Sequence, residues 1–245
     1  MASALATPIL AVDNVGRRFG GLKAVDGVSF TVAPGEILGI IGPNGAGKTT
    51  LFNLMSGFLA PSGGNIRFKG RSIVGVRPDR VVAMGLARSF QIVQVFAGMS
   101  VLDVVTTGAL LRHPMRIAVD KAEAVLVRVG LAGKATATPD TLSLQDKKLL
   151  ELAKCLATEP ELILLDEVMA GLTLGEAQVP LAIIRELRGQ GLTFVMVEHV
   201  MPVIMACADR IVVLNFGEKV AEGSPQEIIA DPRVKDAYFG DEPHE

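Results

Sequence analysis

The sequence contains few cysteines and few aromatic residues, and it has no large excess of charge of either sign. Its 245 residues include no tryptophan, one tyrosine and two cysteines. Cys155 and Cys207 lie far apart in apolar surroundings, so we expect free thiols in a reducing compartment. The 24 lysines and arginines nearly balance the 26 aspartates and glutamates. This balance provides no broad attraction for nucleic acid, and we expect no nucleic-acid partner.

The sequence also lacks an apolar run long enough to cross a membrane. The longest candidate, residues 192–208, is interrupted by Glu198, His199 and Pro202, and it is shorter than the roughly 20 residues that a spanning helix needs. The first ten residues lack a basic segment ahead of an apolar run, so we expect no secretory signal and a cytoplasmic protein. The mean hydropathy of +0.42 is nevertheless high, which favours strands buried on both faces and an apolar docking surface.

Short apolar runs alternate with helical patterns from about residue 8 to residue 240. Runs rich in β-branched and aliphatic residues predict strands at residues 9–12, 28–32, 36–41, 65–69, 162–165, 193–197 and 211–214. Helical periodicity predicts helices at about 48–55, within 101–131, and at 174–189, and Asp120 is the expected N-cap of a helix in the second region. The alternation after residue 160 is typical of a parallel sheet, so we expect one α/β domain.

The loop after the strand at residues 36–41 carries the strongest functional motif. It reads Gly42-Pro43-Asn44-Gly45-Ala46-Gly47-Lys48-Thr49, which fits the pattern of a phosphate-binding loop. The glycines let backbone amides point at phosphate oxygens, Lys48 adds a positive charge near the β and γ phosphates, and the Thr49 hydroxyl is a ligand for Mg²⁺. Thr50 completes the predicted set. The sequence therefore predicts an ATP site after this strand.

An acidic pair follows the apolar run at residues 162–165. Asp166 is placed to bind Mg²⁺, and Glu167 is placed to orient and deprotonate a water molecule. An acidic pair after a strand is common and is a weak signal alone. Together with the loop at residues 42–49 it becomes strong, because ligands of open α/β sheets gather at the carboxyl ends of the strands.

The order of these motifs resembles the ABC ATPase family along nearly the whole chain. The resemblance implies an α/β fold, a P-loop NTPase (RecA-like) core with an antiparallel β lead-in and an inserted helical subdomain. It further implies a single ATP-binding domain over residues 1–245. Its core would span about residues 8–91 and 160–240, and its helical subdomain would span about residues 92–159.

The resemblance implies roles for three further residues. Gln91 looks like the glutamine that links the metal site to the membrane subunits, His199 looks like the switch histidine that contacts the γ-phosphate, and Phe19 looks like the aromatic residue that stacks on adenine. Taken singly, a solvated glutamine, a structural histidine and a core phenylalanine are the ordinary alternatives. The order of the motifs favours the functional roles.

Residues 142–146 occupy the place of the family signature, Leu-Ser-Gly-Gly-Gln, but read Leu142-Ser143-Leu144-Gln145-Asp146. Ser143 remains as the residue expected to contact nucleotide. Thr173 also stands where the family usually has an aspartate, and Val168 replaces the usual proline after the catalytic acid. These departures affect the expected strength of dimer closure.

The carboxylate of Asp146 predicts an electrostatic penalty. In the family's head-to-tail dimer this helix end faces the ATP of the opposite chain. Two like charges about 8 Å apart repel by roughly 2 kcal/mol at an effective dielectric constant of 20. Unless Lys147 or Lys148 offsets this repulsion, we expect a weaker nucleotide site over Ser143.

Within the family, the segments at residues 84–91 and 230–240 look like those of the ATP-binding subunits of branched-chain amino acid importers. That resemblance implies a second ABC ATPase subunit, identical or different, two transmembrane permeases and an extracytoplasmic binding protein. It implies a cytoplasmic protein peripheral on the inner face of the membrane, with permeases docked near residues 91–100. An exporter or lipid-extraction ATPase, a non-transport ABC ATPase and an inactive regulatory subunit are the alternatives.

Overall fold

The computed structural model describes residues 7–90, 98–198 and 200–239. Its strands are β1 (Leu10–Phe19), β2 (Leu22–Val32), β3 (Ile37–Ile41), β4 (Gly63–Phe68), β5 (Arg71–Ser72), β6 (Leu86–Arg88), β7 (Leu162–Asp166), β8 (Thr193–Val197), β9 (Arg210–Asn215) and β10 (Glu218–Gly223). Its α-helices are α1 (Lys48–Met55), α2 (Pro78–Ala83), α3 (Val101–Ala109), α4 (Met115–Arg128), α5 (Leu144–Ala157), α6 (Leu174–Gly189), α7 (Met201–Cys207), α8 (Pro225–Ala230) and α9 (Pro232–Phe239).

A six-stranded sheet forms the centre of the molecule, in the order β10-β9-β3-β8-β7-β6. Strands β9, β3, β8, β7 and β6 are parallel to their neighbours, and β10 pairs with β9 in antiparallel fashion. The carboxyl ends of β3, β8 and β7 therefore lie side by side. Parallel pairing thus brings the phosphate-loop motif and the acidic pair to the same edge of the sheet.

Both faces of this sheet are covered, as expected from the high mean hydropathy. Alternate residues of each strand point to opposite faces. In β3, Ile37 and Ile41 join an apolar core with helices α3 to α6, whereas Leu38 and Ile40 join a second core with α1 and the lead-in strands. All five residues of β3, β7 and β8 are buried, which is why these strands read as continuous apolar runs.

Strands β2, β1, β4 and β5 form a separate antiparallel sheet, which matches the predicted lead-in. Its inward residues, such as Leu10, Phe30 and Phe68, pack in the same core as Phe52 of α1. This sheet therefore packs over the same face of the central sheet as α1.

Helices α3, α4 and α5 occupy the middle of the chain and share one apolar core. The expectation that Asp120 caps a helix is wrong, because α4 begins at Met115 and Asp120 lies inside it. Pro114 precedes the helix in an extended conformation and sets its start, since proline is readily accommodated at a helix entrance. The helix packs on the core through Ala122 and Leu126, which are buried.

Both cysteines are free, with Cys155 buried and Cys207 partly buried. Within the described ranges, none of the helices has the length and apolar character needed to pass through a bilayer.

Candidate functional site

A pocket of about 480 Å³ lies at the carboxyl edge of the central sheet. It is lined by Phe19, Leu22, Lys23, Ala24, residues 44–50, Glu167 and Phe216. Its volume is in the range of small-molecule sites, which is roughly 300–1,000 Å³. The fold thus brings Phe19, most of the phosphate loop and Glu167 around one cavity, although they lie up to 148 residues apart in the sequence.

The phosphate loop connects β3 to α1, and its glycines are required by space as well as by conformation. Gly42 and Gly47 have φ values of 155° and 99°. A Cβ atom would lie 2.2 Å from the Leu214 carbonyl oxygen at Gly42 and 2.3 Å from the Ala24 carbonyl oxygen at Gly47. No side chain fits at either position. The loop therefore lies directly against backbone of β2 and β9.

Lys48, the first residue of α1, is almost completely buried. Its ammonium group donates hydrogen bonds to the carbonyl oxygens of Gly42 (2.6 Å) and Pro43 (2.9 Å). Gly42 and Pro43 do not line the pocket, so their observed contribution is to hold this lysine. Burial lowers the pKa of Lys48, and the charge of Glu167 partly opposes that shift. The opposite charges of Lys48 and Glu167 are therefore close enough to interact.

Glu167 follows β7 in a left-handed conformation, with φ of 51°. Such a backbone costs a non-glycine residue of order 1 kcal/mol or more, and it persists where neighbours hold it. The Glu167 amide donates to the Val197 carbonyl (3.0 Å), and its carbonyl accepts from Lys148 Nζ (3.0 Å) and the Ala170 amide (3.1 Å). These three contacts fix the turn that brings Glu167 to the pocket.

Asp166, the last residue of β7, does not line the pocket. Its carboxylate is nearly buried and accepts a hydrogen bond on Oδ2 from Arg88 Nη2 (2.8 Å). Its Oδ1 is buried and has no hydrogen-bond partner among the described residues. Within the described part of the chain, this oxygen is therefore available to a ligand.

Two predicted site residues, Gln91 and His199, lie outside the described residues. Ser143 is described and lies away from the pocket, as the N-cap of α5. Its hydroxyl donates to Asp146 Oδ2 (2.6 Å) and accepts from the Asp146 amide (3.1 Å). Ser143 and Asp146 thus cap the helix jointly.

The expected repulsion from Asp146 overlooked its counter-charge. Lys134, in a short 3₁₀ turn before α5, forms an ion pair with the Asp146 carboxylate. Of the two lysines considered as offsets, Lys148 is bonded instead to the Glu167 carbonyl. Burial would raise the pKa of Asp146, but the hydrogen bonds and charge of Lys134 and the hydrogen bonds of Ser143 outweigh it and lower the pKa. Asp146 is therefore an integral part of the helix cap.

The other residues that differ from the family pattern also make contacts within the chain. Gln145 Nε2 donates to the Glu176 carbonyl at the start of α6 (2.7 Å). Thr173 is the N-cap of α6, where its hydroxyl donates to Glu176 Oε2 (2.7 Å). Val168 is buried in the core. The starts of α5 and α6 are therefore joined through Gln145.

Two residues of the site region were not predicted from the sequence. Phe216 lies in the β9–β10 turn with φ of 45° and 87% of its surface exposed. The next residue, Gly217, fixes this turn by donating to the Ala46 carbonyl (3.1 Å) and accepting from the Asp26 amide (2.8 Å). The turn therefore holds an apolar ring at the pocket rim.

Glu198 follows β8 at the same edge and is 2% exposed. Its Oε1 accepts from the Met169 amide (2.9 Å), and its Oε2 has no partner among the described residues. Burial raises the pKa of Glu198 to about 7. An acid directly after an apolar strand was the available signal, but the adjacent His199 drew the functional assignment.

The Asp146 cap gives a testable prediction for stability. Lys134→Met should destabilise the protein by about 1 kcal/mol near neutral pH, because it removes the counter-charge of a largely buried carboxylate. An aspartate with a lowered pKa contributes stability above its unfolded pKa of about 3.9 and loses it as the pH falls through its folded pKa. The difference from the wild type should therefore shrink below about pH 4. Urea unfolding near neutral pH and below about pH 4 measures the difference in free energy of unfolding between the variant and the wild type. A difference that does not depend on pH would contradict the ion-pair explanation.

Comparison with known proteins agrees with this geometry. Residues 25–170 match the family described as ABC transporter, and residues 218–244 match the family described as branched-chain amino acid ATP-binding cassette transporter. The chain is 39% identical to the high-affinity branched-chain amino acid transport ATP-binding protein LivG of Salmonella typhimurium, over 97% of this chain and 100% of that protein. It is 35% identical to the corresponding protein BraF of Pseudomonas aeruginosa, with the same coverage.

Solved structures show the same fold. A nucleotide-free ATP-binding cassette from an ABC transporter superposes with a TM-score of 0.88 at 30% identity, over 95% of this chain and 99% of that one. The ADP conformation of MJ1267, an ATP-binding cassette of an ABC transporter, gives a TM-score of 0.88 at 31% identity, over 96% and 100%. The predicted fold class is thus confirmed, and the chain belongs to the ATP-binding family of ABC transporters, in the group of branched-chain amino acid transport proteins.

Proposed function

We propose that this chain binds ATP with Mg²⁺ and hydrolyses it to power the uptake of branched-chain amino acids or related small molecules. The observation that carries the proposal is the pocket that joins Phe19, the phosphate loop and Glu167. It occurs in a chain that matches branched-chain amino acid transport ATP-binding proteins over their full length. The exporter, lipid-extraction and non-transport alternatives have no comparable support.

In this proposal the loop at residues 42–49 and Thr50 hold the phosphates. Lys48 exchanges its bonds to loop carbonyls for phosphate oxygens, and the ring of Phe19 stacks on the base. Glu167 orients the attacking water and accepts its proton, and His199 contacts the γ-phosphate. Phe216 provides a second apolar surface for the base.

The residues present fit a bound Mg²⁺ ion. This ion prefers oxygen ligands and keeps several waters, so one or two protein oxygens and the phosphates suffice. Thr49 lines the pocket, and Asp166 Oδ1 is a buried oxygen that has no hydrogen-bond partner among the residues that the structure describes. No cluster of three or more histidine, cysteine, aspartate or glutamate residues suited to a metal occurs in the described part of the chain, which agrees with a site of this sparse kind. We propose Thr49, Asp166 and Gln91 as its protein contacts.

We further propose that the chain works as half of a head-to-tail ATPase dimer, identical or mixed, in which Ser143 faces the nucleotide of the opposite chain. Two transmembrane permeases would dock near residues 91–100, and an extracytoplasmic protein would deliver the substrate. Of that segment, residues 91–97 lie outside the described residues. The chain would be peripheral on the inner face of the cell membrane.

The role of Glu167 is tested by separating ATP binding from hydrolysis. Glu167→Gln should lower turnover by about 100-fold or more while ATP still binds, because the amide fits the turn but does not accept the proton of water. Lys48→Ala should instead weaken ATP binding by about tenfold or more, through loss of a charged phosphate contact. Calorimetric titration and phosphate release measure the two effects. Hydrolysis by Glu167→Gln near the wild-type rate would refute the assignment.

The aromatic residues at the pocket rim are tested by comparing ATP with inorganic triphosphate. Phe19→Ala and Phe216→Ala should each weaken ATP binding by about fivefold, since an aromatic stacking contact contributes about 1 kcal/mol. Binding of inorganic triphosphate, which has no base, should not change. Ile229→Ala, which alters an exposed apolar residue of α8, is the control. Equal weakening of both ligands would indicate a distorted loop.

The transport role is tested in cells that carry the gene and its neighbouring permease genes. Replacing the chain by its Glu167→Gln variant should abolish accumulation of radiolabelled leucine, isoleucine and valine, because the variant assembles but does not turn over. Uptake of proline through other systems serves as the control. Unchanged uptake of all three amino acids would refute the importer proposal without refuting ATP hydrolysis.

A further inference from the structure

Arg88 is a buried charge next to the proposed metal site, and no motif accounts for it. It is the last residue of β6, and its side chain is 7% exposed, while that of its partner Asp166 is 5% exposed. A buried ion pair is not by itself a reason for stability, because desolvation of both groups opposes their attraction. The burial of this pair therefore needs a further explanation.

The guanidinium group of Arg88 is held from several sides. Nη1 donates to Asn53 Oδ1 (2.6 Å) and Ser56 Oγ (3.0 Å), and Nη2 donates to Asp166 Oδ2 (2.8 Å). Asn53 belongs to α1 and Ser56 is its C-cap, so Arg88 joins the helix of the phosphate loop to the carboxylate of β7. Three aromatic rings surround the group, those of Phe52, Phe58 and Phe90, at 5.3–5.8 Å from its central carbon. The guanidinium plane has little freedom to move.

The neighbouring residue fixes the backbone of the same aspartate. Ser89 is fully buried, and its hydroxyl accepts a hydrogen bond from the Asp166 amide (3.0 Å). The Ser89 amide in turn donates to the Leu164 carbonyl (2.9 Å). Consecutive residues at the end of β6 thus hold the main chain and the side chain of Asp166. With Oδ2 engaged by Arg88, Oδ1 is the carboxylate oxygen that lacks a partner among the described residues.

We propose that Arg88 is a positioning residue for the metal site: it fixes the Asp166 carboxylate on Oδ2, presents Oδ1 to the Mg²⁺ of bound nucleotide, and ties that carboxylate to α1. The proposal rests on the metal role proposed for Asp166. It therefore gives Arg88, which precedes the segment proposed to dock the permeases, a role in metal binding that is separate from docking. Partners that orient metal-binding groups commonly contribute about 10–100-fold to metal affinity.

Lysine does not replace arginine in this role. Arg88 contacts α1 through one terminal nitrogen and β7 through the other, whereas an ammonium group is a single point on a flexible stem. In Arg88→Lys the charge remains but one of the two connections is lost. Arg88→Met removes the charge as well.

The experiment measures the affinity for ADP by calorimetry, once in excess EDTA and once in excess Mg²⁺. The ratio of the two affinities, the Mg²⁺ enhancement, reports metal binding without turnover. The variants are Arg88→Met, Arg88→Lys and Asp166→Asn. Arg188→Met is the matched control, because Arg188 also joins an aspartate, Asp209 (2.8 Å), to a backbone carbonyl. That pair lies at the amino end of β3, at the opposite edge of the sheet from Asp166. Thermal unfolding of each variant is recorded in parallel.

We expect the Mg²⁺ enhancement to fall about tenfold in Arg88→Met and by a smaller factor in Arg88→Lys. Affinity in EDTA should stay at the wild-type value, and Arg188→Met should keep the full enhancement. If Asp166→Asn loses the enhancement while both Arg88 variants retain it, Arg88 supports only the fold and the proposal is overturned. If Asp166→Asn itself retains it, the proposed metal role of Asp166 fails first. Should Arg88→Met not fold, Arg88→Lys alone decides.

Discussion

Parallel pairing of β3, β8 and β7 is the constraint on which the rest of the molecule depends. Every residue of these three strands is buried, and Asp166, at the end of β7, is the one acidic residue among them. The other polar groups of the site lie on the residues that follow the strands. The pairing register aligns the ends of β7 and β8, with Asp166 opposite Val197. The loop after β3, the acids after β7 and Glu198 after β8 are consequently neighbours in space.

This edge combines high burial with unusual backbone conformations. Gly42 and Gly47 touch backbone that excludes any side chain, Glu167 is left-handed, and Phe216 is left-handed with an exposed ring. The two left-handed residues lower stability, and hydrogen bonds to an adjacent strand or loop hold the turns that contain them. Strained conformations of this kind are common at ligand-binding sites. The apolar strands behind the edge supply the rigidity that maintains them.

The sequence was sufficient for the elements whose pattern is local. The bounds of α1, α6 and β8 agree with the predictions, because each segment has a clear period and clear ends. The start of α4 was misplaced because Asp120 has the chemistry of a cap but lies within a helix that Pro114 begins. Local chemistry alone did not distinguish a possible cap from an actual one.

The contacts that escaped prediction join residues that are distant in sequence or lack a motif. Arg88 pairs with Asp166 across 78 positions, and Lys134 pairs with Asp146 across 12. No periodicity connects either pair, since each depends on how separate elements pack. A charge estimate from neighbouring residues considered Lys147 and Lys148 and missed Lys134 for this reason. The phosphate loop was predictable because all of its functional atoms come from consecutive residues.

The altered signature at residues 142–146 is better explained by the contacts that its residues make within the chain than by a loss of function. Gln145 binds the first turn of α6, Asp146 completes the cap of α5, and Lys148 binds the carbonyl of Glu167. A glycine at position 145 would lack the side chain that makes the first contact. Lys148, which follows the signature residues in α5, is thus bonded directly to the turn that carries this chain's own acid. The start of α5 and the left-handed turn at Glu167 are therefore connected through Lys148.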